Sequence, residues 1–290
     1  MSIKLEHVTY LYGQGTVYEK YALKDINLEI KKGDFIGIAG HTGSGKSTLI
    51  QHLNGLEKAT SGKITYDGQD IYAKDFDLDG LRMKVGLTFQ YPEYQLFEAT
   101  VFEDVCFGPK NQKLPKEEIE RRAREALQLV GFPEELYEKS PFQLSGGQKR
   151  RVAIAGVLAM QPDYLILDEP AAGLDPIGRT EILEQIKKLH EEKGIAVILV
   201  SHSMEELAKY VDRMIVMNQG EKVFDDTPKK VFSHYKELEK IGLSAPAITY
   251  VMEELKQRGF PVRTDFLTIE EAKEEILKVL SRKSKEGNNA

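Results

Sequence analysis

Short, almost uninterrupted apolar runs recur along the chain and predict buried β-strands. These runs are Phe35–Ala39, Val85–Phe89, Tyr164–Leu167 and Ala196–Val200. Such runs are typical of central strands in a parallel sheet, where helices cover both faces. Helical patterns lie between and after them, and in Thr180–Lys193 the apolar residues repeat at helical spacing. Because strands alternate with helices, the chain is predicted to form an α/β domain around a parallel sheet.

Other segments depart from this alternation. Ile3–Tyr10 alternates apolar and polar residues, which predicts a half-buried antiparallel strand. Ile215–Asn218 and Lys222–Asp225 flank a turn sequence and predict a hairpin. Residues 90–161 contain the charged helical pattern Lys116–Val130 and no convincing strand. We therefore expect a mostly helical subdomain inserted into the core.

The pattern changes again after about residue 240, where a C-terminal extension is predicted at 241–290. Ala247–Gly259 is typical of a short helix, which the glycine and Pro261 end. Thr268–Glu271 is a capping box that opens a second helix. The residues expected on one face of that helix are Ile269, Ala272, Ile276 and Leu280. Lys283–Ala290 is polar and is predicted to be a frayed tail.

Composition excludes several classes of protein. The net charge of −6 argues against general nucleic-acid binding, which usually needs a basic surface. The N-terminal residues do not resemble a signal peptide, and the longest apolar run, Ala153–Met160, is too short to span a membrane. Cys106 is the only cysteine, so a disulfide framework is excluded and a cytoplasmic setting is expected.

A glycine-rich segment between an apolar strand and a helical pattern predicts a phosphate-binding loop. Its glycines allow successive N–H groups to face phosphate oxygens, and the following helix adds its positive end. Lys46 is expected to bind the β- and γ-phosphates, and the Ser47 hydroxyl to bind Mg²⁺. The residues predicted to bind ATP here are Gly40, His41, Thr42, Gly43, Ser44, Gly45, Lys46, Ser47 and Thr48.

Two carboxylates end the strand that begins at Tyr164. Burying them is costly without a cation, so Asp168 is predicted to bind Mg²⁺ and Glu169 to activate water as a general base. His202 follows the next strand and is expected to face the γ-phosphate. Gln90 is a candidate for contact with Mg²⁺ or water. Tyr12, just past the first strand, is a candidate for stacking on adenine.

A second anion-binding sequence precedes a helical pattern that runs to Met160. It comprises Ser145, Gly146, Gly147 and Gln148, and a serine with two glycines at a helix start can form a nest of N–H groups. A second nest beside a complete phosphate loop is unusual for one active site. It is expected if the nest closes over ATP bound to another copy or a paralogue.

With these motifs in place, the chain from about Ile3 to Ser233 resembles the ATP-binding cassette (ABC) ATPases. The resemblance implies a P-loop NTPase fold of the α/β class, with a mixed sheet core, an antiparallel β-subdomain and an inserted helical subdomain. It also implies a head-to-tail dimer that binds two ATP molecules. Each ATP lies between the phosphate loop of one subunit and the signature motif of the other. The matching motifs are Gly40–Thr48 (Walker A), Gln90 (Q-loop), Leu144–Gln148 (signature), Tyr164–Glu169 (Walker B), Gly173–Asp175 (D-loop) and His202 (switch).

A narrower resemblance is to the ATPases of energy-coupling factor (ECF) importers of vitamins or metal ions. It rests on Phe89–Phe97 and Asp104–Asn111, and on Gly40–Gly43, Gln51–Gly55 and Pro170–Pro176, which are similar to the second of two paralogous ATPases. It implies a heterodimer with the first ATPase, paired through the C-terminal helices. The dimer would be peripheral on the cytoplasmic face of the membrane, with residues 90–111 near an integral-membrane coupling subunit that serves substrate-binding membrane subunits.

The sequence also leaves alternative functions open. They are an ATPase of another ABC transporter class, a soluble ABC ATPase acting on nucleic acid or ribosomes, and a cytosolic phosphoryl-transfer enzyme or nucleotide switch. A homodimer is also compatible with the intact signature and Glu169. The transported solute is not encoded in this chain, because selectivity would lie in another polypeptide.

Overall fold

The computed structural model describes residues 1–287, and its core is a mixed six-stranded sheet. The strand order is β10-β9-β3-β8-β7-β6. Neighbouring strands are parallel except for β10, which is antiparallel to β9. The strands are β3 (Phe35–Ala39), β6 (Val85–Thr88), β7 (Tyr164–Asp168), β8 (Ala196–Val200), β9 (Arg213–Asn218) and β10 (Glu221–Asp226). The predicted parallel core and closing hairpin are both confirmed.

The central strands are buried on both faces, as their apolar runs predict. On one face Ile38, Ile166 and Ile198 pack toward a second sheet. On the other face Leu165 and Leu199 pack in a core shared with the helical subdomain. Helices that flank the core are α1 (Lys46–Leu53), α2 (Leu78–Lys84), α6 (Pro176–Lys193), α7 (Met204–Tyr210), α8 (Pro228–Ser233) and α9 (Tyr235–Lys240).

The second sheet is antiparallel and has the order β2-β1-β4-β5. Its strands are β1 (Ser2–Tyr12), β2 (Lys20–Lys31), β4 (Ser61–Tyr66) and β5 (Gln69–Asp70). Sequence reasoning found only β1, and ended it two residues early. Alternation in β2 is broken because Asp25 has a φ of 49° and the β1–β2 pairing shifts register beside it. The buried residues Leu23 and Ile26 are therefore three positions apart.

The inserted helical subdomain is confirmed between β6 and β7. Its helices are α3 (Val101–Asn111), α4 (Lys116–Leu129) and α5 (Gly146–Leu158), with short 3₁₀ turns at Pro92–Gln95, Glu134–Leu136 and Pro141–Gln143. Buried side chains of the three helices, among them Val105, Leu127 and Ile154, pack into the core below them. No helix among the described residues is long and apolar enough to cross a membrane.

The C-terminal extension consists of α10 (Ala247–Gln257) and α11 (Ile269–Gly287) around a small core of its own. The predicted apolar face of α11 is partly wrong, because Ile269 and Leu280 are 68% and 49% exposed. The stripe of α11 that faces α10 consists of the buried residues Ala272 and Val279, with the partly buried Ile276 between them. α11 extends to Gly287, so helix covers the first part of the predicted frayed tail; its fraying stays a prediction. Residues 288–290 lie outside the described residues.

Candidate active site

The phosphate loop lies between the end of β3 and the start of α1, at the centre of the core sheet. At two positions of the loop the backbone leaves room only for glycine. Gly40 has a φ of 151°, and a Cβ there would lie 2.5 Å from the Met217 carbonyl oxygen. Gly45 has a φ of 106°, and a Cβ there would lie 2.5 Å from the Ala22 carbonyl oxygen. The backbone can curl into a loop only because both positions lack a side chain.

Lys46 is the first residue of α1, and its ammonium group is turned back into the loop. Its Nζ donates hydrogen bonds to the carbonyl oxygens of Gly40, at 2.7 Å, and His41, at 3.2 Å. Burial lowers the pKa of Lys46, while Glu169 and Asp168 act in the opposite direction. The loop thus presents a buried cation at the position where the sequence predicts phosphate binding.

Asp168 ends β7 directly beside α1. Its Oδ2 accepts a hydrogen bond from the Ser47 hydroxyl at 3.3 Å, and the carboxylate is only 7% exposed. Burial raises the pKa of Asp168, and the adjacent Glu169 raises it further. A buried carboxylate beside a second carboxylate favours a bound cation. Ser47 and Asp168 therefore form a pair of oxygen ligands suited to Mg²⁺.

Protein ligands alone do not complete a metal site. No group of three or more His, Cys, Asp or Glu side chains is placed to hold a metal ion among residues 1–287. Mg²⁺ in nucleotide sites is usually held by one or two protein ligands together with phosphate oxygens and water. The arrangement of Ser47 and Asp168 matches that pattern.

Glu169 is held by two partners from different parts of the chain. Its Oε1 lies 2.8 Å from Nε2 of His202, and its Oε2 accepts a hydrogen bond from Nε2 of Gln90 at 3.2 Å. The Glu169 backbone has a φ of 51°, and its N–H donates to the Val200 carbonyl at 3.0 Å. A non-glycine residue in this left-handed conformation is strained. The backbone here directs Glu169 away from Asp168 and toward His202.

These groups line one cleft of about 360 Å³. The predicted residues on its wall are Tyr12, Thr42, Gly43, Gly45, Lys46, Ser47, Thr48, Gln90, Asp168, Glu169 and His202. Gly40, His41 and Ser44 belong to the loop but are not on that wall. His41 instead lies 3.0 Å from Oδ1 of Asn218, and Ser44 is fully buried.

The side of the cleft that carries Tyr12 includes residues that sequence reasoning missed. They are Lys20, Tyr21 and Ala22, at the start of β2. Detecting β2 would have revealed them, because its first residues pair with the end of β1. Tyr12 is in β1 rather than past it, and its hydroxyl is 3.1 Å from Oγ1 of Thr48. Its ring packs edge-on against Tyr10, with centroids 4.9 Å apart.

The second anion-binding sequence lies apart from this cleft. Ser145 caps α5 and forms a reciprocal capping box with Gln148. Ser145 and Gly146 are exposed, and neither lines the cleft. Asp175 caps α6 by accepting a hydrogen bond from the Gly178 N–H at 2.8 Å. The structure therefore brings together the predicted Mg²⁺ and water-activating groups, and places Ser145 and Gly146 outside their cleft.

Comparison with known proteins agrees with this geometry. Residues 23–172 match the model of the ABC transporter family. The chain is 56% identical over 285 residues to the energy-coupling factor transporter ATP-binding protein EcfA2 of Clostridium tetani, covering 98% of this chain and 99% of the relative. It is 57% identical over 280 residues to the protein of the same name from Caldanaerobacter subterraneus, covering 97% and 98%.

The chain belongs to the ABC transporter family, in the branch of energy-coupling factor ATP-binding proteins. Solved structures of the family agree with its fold. The structure of cbiO1 from Clostridium perfringens, part of the ABC transporter complex cbiONQ, is 43% identical, with a TM-score of 0.74, and the match covers 87% of this chain and 98% of that one. The dimeric cassette MJ0796, in a post-hydrolysis state bound to ADP and Pi, is 35% identical, with a TM-score of 0.69 over 78% and 98%. The predicted fold and family resemblance are thus confirmed.

One prediction concerns the buried carboxylate of this ABC cassette. Asp168→Asn is expected to raise the melting temperature by a few degrees at neutral pH in EDTA without nucleotide. The pKa of Asp168 is higher in the folded than in the unfolded protein, so ionisation lowers stability as the pH rises through the folded pKa. The advantage of the variant should therefore shrink as the pH falls through the folded pKa of Asp168 toward the unfolded value of about 3.9.

The exposed Asp75 supplies a matched control. Asp75→Asn makes the same chemical change outside the cleft and should leave the melting temperature nearly unchanged. Thermal unfolding followed by circular dichroism measures all three proteins. A lower melting temperature for Asp168→Asn than for the unmodified protein at neutral pH would contradict the electrostatic account.

Proposed function

We propose that this chain binds and hydrolyses MgATP as an ATPase subunit of an energy-coupling factor importer that takes up a vitamin or a metal ion. The observation that carries the proposal is the placement of Glu169 beside the phosphate loop. A carboxylate bound to both His202 and Gln90 at the mouth of this cleft is suited to accept a proton from water. Membership of the ABC transporter family favours this function over a soluble phosphoryl-transfer enzyme.

Each group in the cleft has a role that its position supports. The N–H groups of Gly43 and Gly45, with the positive end of α1, bind phosphate oxygens, and Lys46 neutralises the β- and γ-phosphates. When bound, Mg²⁺ withdraws charge from the phosphates, and Ser47 and Asp168 would hold it, with Gln90 as a further candidate. Glu169 orients the attacking water and accepts its proton. His202 holds Glu169 through its Nε2 and faces the γ-phosphate region.

Tyr12 is the proposed stacking partner of adenine. Its ring lies on the wall of the cleft and is fixed by edge contact with Tyr10 and by the contact of its hydroxyl with Thr48. Tyr21 lies on the same wall and is 51% exposed. Two aromatic side chains on this side of the cleft favour a planar base, because stacking buries apolar ring surface.

A complete active site requires a second cassette. Gly146 and Gly147 present N–H groups at the positive end of α5 and, with the Ser145 hydroxyl, lie away from the cleft of their own chain. We propose that this nest binds the γ-phosphate of ATP held by a paralogous ATPase, with Asp175 near the shared interface. A homodimer would use the same surfaces. The exposed apolar residues Val251, Leu277 and Leu280 of the C-terminal extension supply a further pairing surface.

Exposed aromatic residues mark the proposed contact with the membrane subunits. Tyr94, Phe97 and Phe107 are 85%, 57% and 41% exposed, in the segment after Gln90 and on α3. Phe97 is held by Asp104, whose Oδ2 accepts hydrogen bonds from the N–H groups of Phe97 and Glu98, both at 2.9 Å. Because Gln90 precedes this segment and contacts Glu169, the docking surface and the catalytic group are connected. A peripheral position on the cytoplasmic face of the membrane follows from this assembly.

The catalytic role of Glu169 is tested by Glu169→Gln. Steady-state ATP hydrolysis is expected to fall at least about 100-fold, because the amide cannot accept a proton from water. ATP binding should be largely retained, since Lys46 and the loop remain. Glu191→Gln on α6 makes the same change at an exposed position and should leave turnover intact. Unchanged turnover in Glu169→Gln would refute the assignment.

The two-chain site is tested by Gly146→Asp. A Cβ at Gly146 meets no atom within 4 Å, so the chain should fold normally. The added carboxylate would repel the phosphates of the opposite ATP, so ATP-driven association and hydrolysis should be lost while binding to the chain's own loop persists. Lys116→Asp adds an acid at the start of α4 and serves as the control. Full activity in Gly146→Asp would contradict a shared site.

The partners are tested by affinity purification from membranes. A tagged chain should co-purify with a second ATPase and with integral-membrane subunits, which mass spectrometry identifies. The variant Phe97→Glu should lose the membrane subunits but keep the ATPase partner, because its change is confined to the aromatic surface. Recovery of nucleic acid or ribosomes in place of membrane subunits would exclude the importer assignment.

A further inference from the structure

Behind the pair of His202 and Glu169 lies a second, smaller cleft of about 160 Å³. Its wall includes both of these residues together with Arg179, Ser201 and Glu206. Arg179 belongs to the first turn of α6, which directly follows the D-loop. Glu206 belongs to α7, which directly follows the switch turn, Ser201–Ser203. The Walker B motif, the helix after the D-loop and the switch turn thus meet at this cleft.

The switch turn is fixed by a short chain of hydrogen bonds. The Ser201 hydroxyl donates to Oε2 of Glu206 at 2.6 Å and accepts from the N–H of Ser203 at 3.0 Å. The Glu206 N–H in turn donates to the Ser203 hydroxyl at 3.3 Å. His202 lies between the two serines. Serines on both sides of His202 are thus held, and the Glu206 carboxylate acts on this turn through Ser201.

The contact between Ser201 and Glu206 is the dominant one of this chain. Ser201 is 5% exposed and the Glu206 side chain is 12% exposed, so solvent competes weakly for either. Hydrogen bonds from a hydroxyl to a carboxylate are short and among the stronger ones in proteins. Ser201 is also tied to the core, because its N–H donates to the Ile38 carbonyl at 3.3 Å.

Arg179 adds a weaker link from the opposite side. Its Nε lies 3.6 Å from Oε1 of Glu206, and its side chain is 44% exposed. Ion pairs with this exposure contribute little to stability. The link nevertheless joins α6, which Asp175 caps, to Glu206 on α7, and Glu206 contacts the switch turn through Ser201.

We propose that Glu206 is a positioning residue for His202, holding the imidazole against Glu169 through Ser201, with Arg179 connecting this support to the D-loop helix. The proposal rests on the ATPase function proposed above. Glu206 acts on the reaction only through the switch turn. Its removal should slow the chemical step more than it weakens ATP binding.

The test compares variants in the complex purified from membranes. Glu206→Ala is expected to lower kcat for ATP hydrolysis roughly 10- to 100-fold, the cost of displacing a catalytic group by about 1 Å. The KM for ATP should change by less than about threefold, since the phosphate loop is untouched. Ser201→Ala should reproduce the loss. Glu206→Gln should retain most of the activity, because its amide oxygen can still accept the Ser201 hydrogen bond.

Glu205→Ala supplies the matched control for Glu206→Ala, because it makes the same change on the exposed side of α7 and should keep full activity. Adding Glu206→Ala to His202→Ala should lower kcat no further than His202→Ala alone, because residues that act through one another are non-additive. A merely structural contribution would lower activity in both backgrounds. Melting temperatures identify any variant that fails to fold, and Ser201→Ala then decides the question.

The outcomes separate this proposal from the function on which it rests. If His202→Ala keeps full kcat, the proposed role of the switch histidine fails. If His202→Ala is inactive while Glu206→Ala and Ser201→Ala keep full kcat, only the positioning role of Glu206 fails. Additive losses in the double variant would also overturn it.

Discussion

The aligned carboxyl ends of β3, β8 and β7 are the constraint on which the site depends. Ile38 pairs with Val200, and Val200 pairs with Asp168. Because the strands are parallel and buried on both faces, their following loops leave from the same edge of the sheet. The phosphate loop, the carboxylate pair and the switch turn consequently converge, although more than a hundred residues separate Ser47 from Asp168. A shift of one residue in the β7–β8 pairing would turn Asp168 to the opposite face of the sheet.

The charges gathered at this edge are matched to a phosphate with a divalent cation. Burial lowers the pKa of Lys46 and raises that of Asp168, so in both cases burial disfavours the charged form. In the proposed function, a polyphosphate supplies the counter-charge for Lys46, and a cation supplies it for Asp168. Glu169 is separated from this pair by its left-handed backbone and by its contacts with His202 and Gln90. Two adjacent acids in the sequence therefore have different surroundings and are suited to different tasks.

The remaining features of the chain face outward. The nest at Ser145–Gly147, the aromatic surface around Phe97 and the apolar residues of α11 lie on separate elements, and each is exposed. The aromatic surface is connected to the cleft, because Gln90 contacts Glu169 and precedes the aromatic segment. Inside the fold, Arg179 contacts Glu206 and follows the D-loop. Gln90 therefore links the candidate active site to an exposed surface.

The sequence by itself determined the elements whose signal is local. Continuous apolar runs identified the buried strands, and the glycines with Lys46 and Ser47 identified the phosphate loop, because strand burial and loop curvature each require particular residue types. Only the tertiary structure decided features that depend on pairing between distant segments. It revealed β2 and Tyr21, which a bulge had hidden, and it placed Val279, rather than Ile269 and Leu280, beside the predicted Ala272 on the buried face of α11. The support of His202 by Glu206 is of the same kind, since a hydrogen bond between side chains follows from backbone positions that no local pattern records.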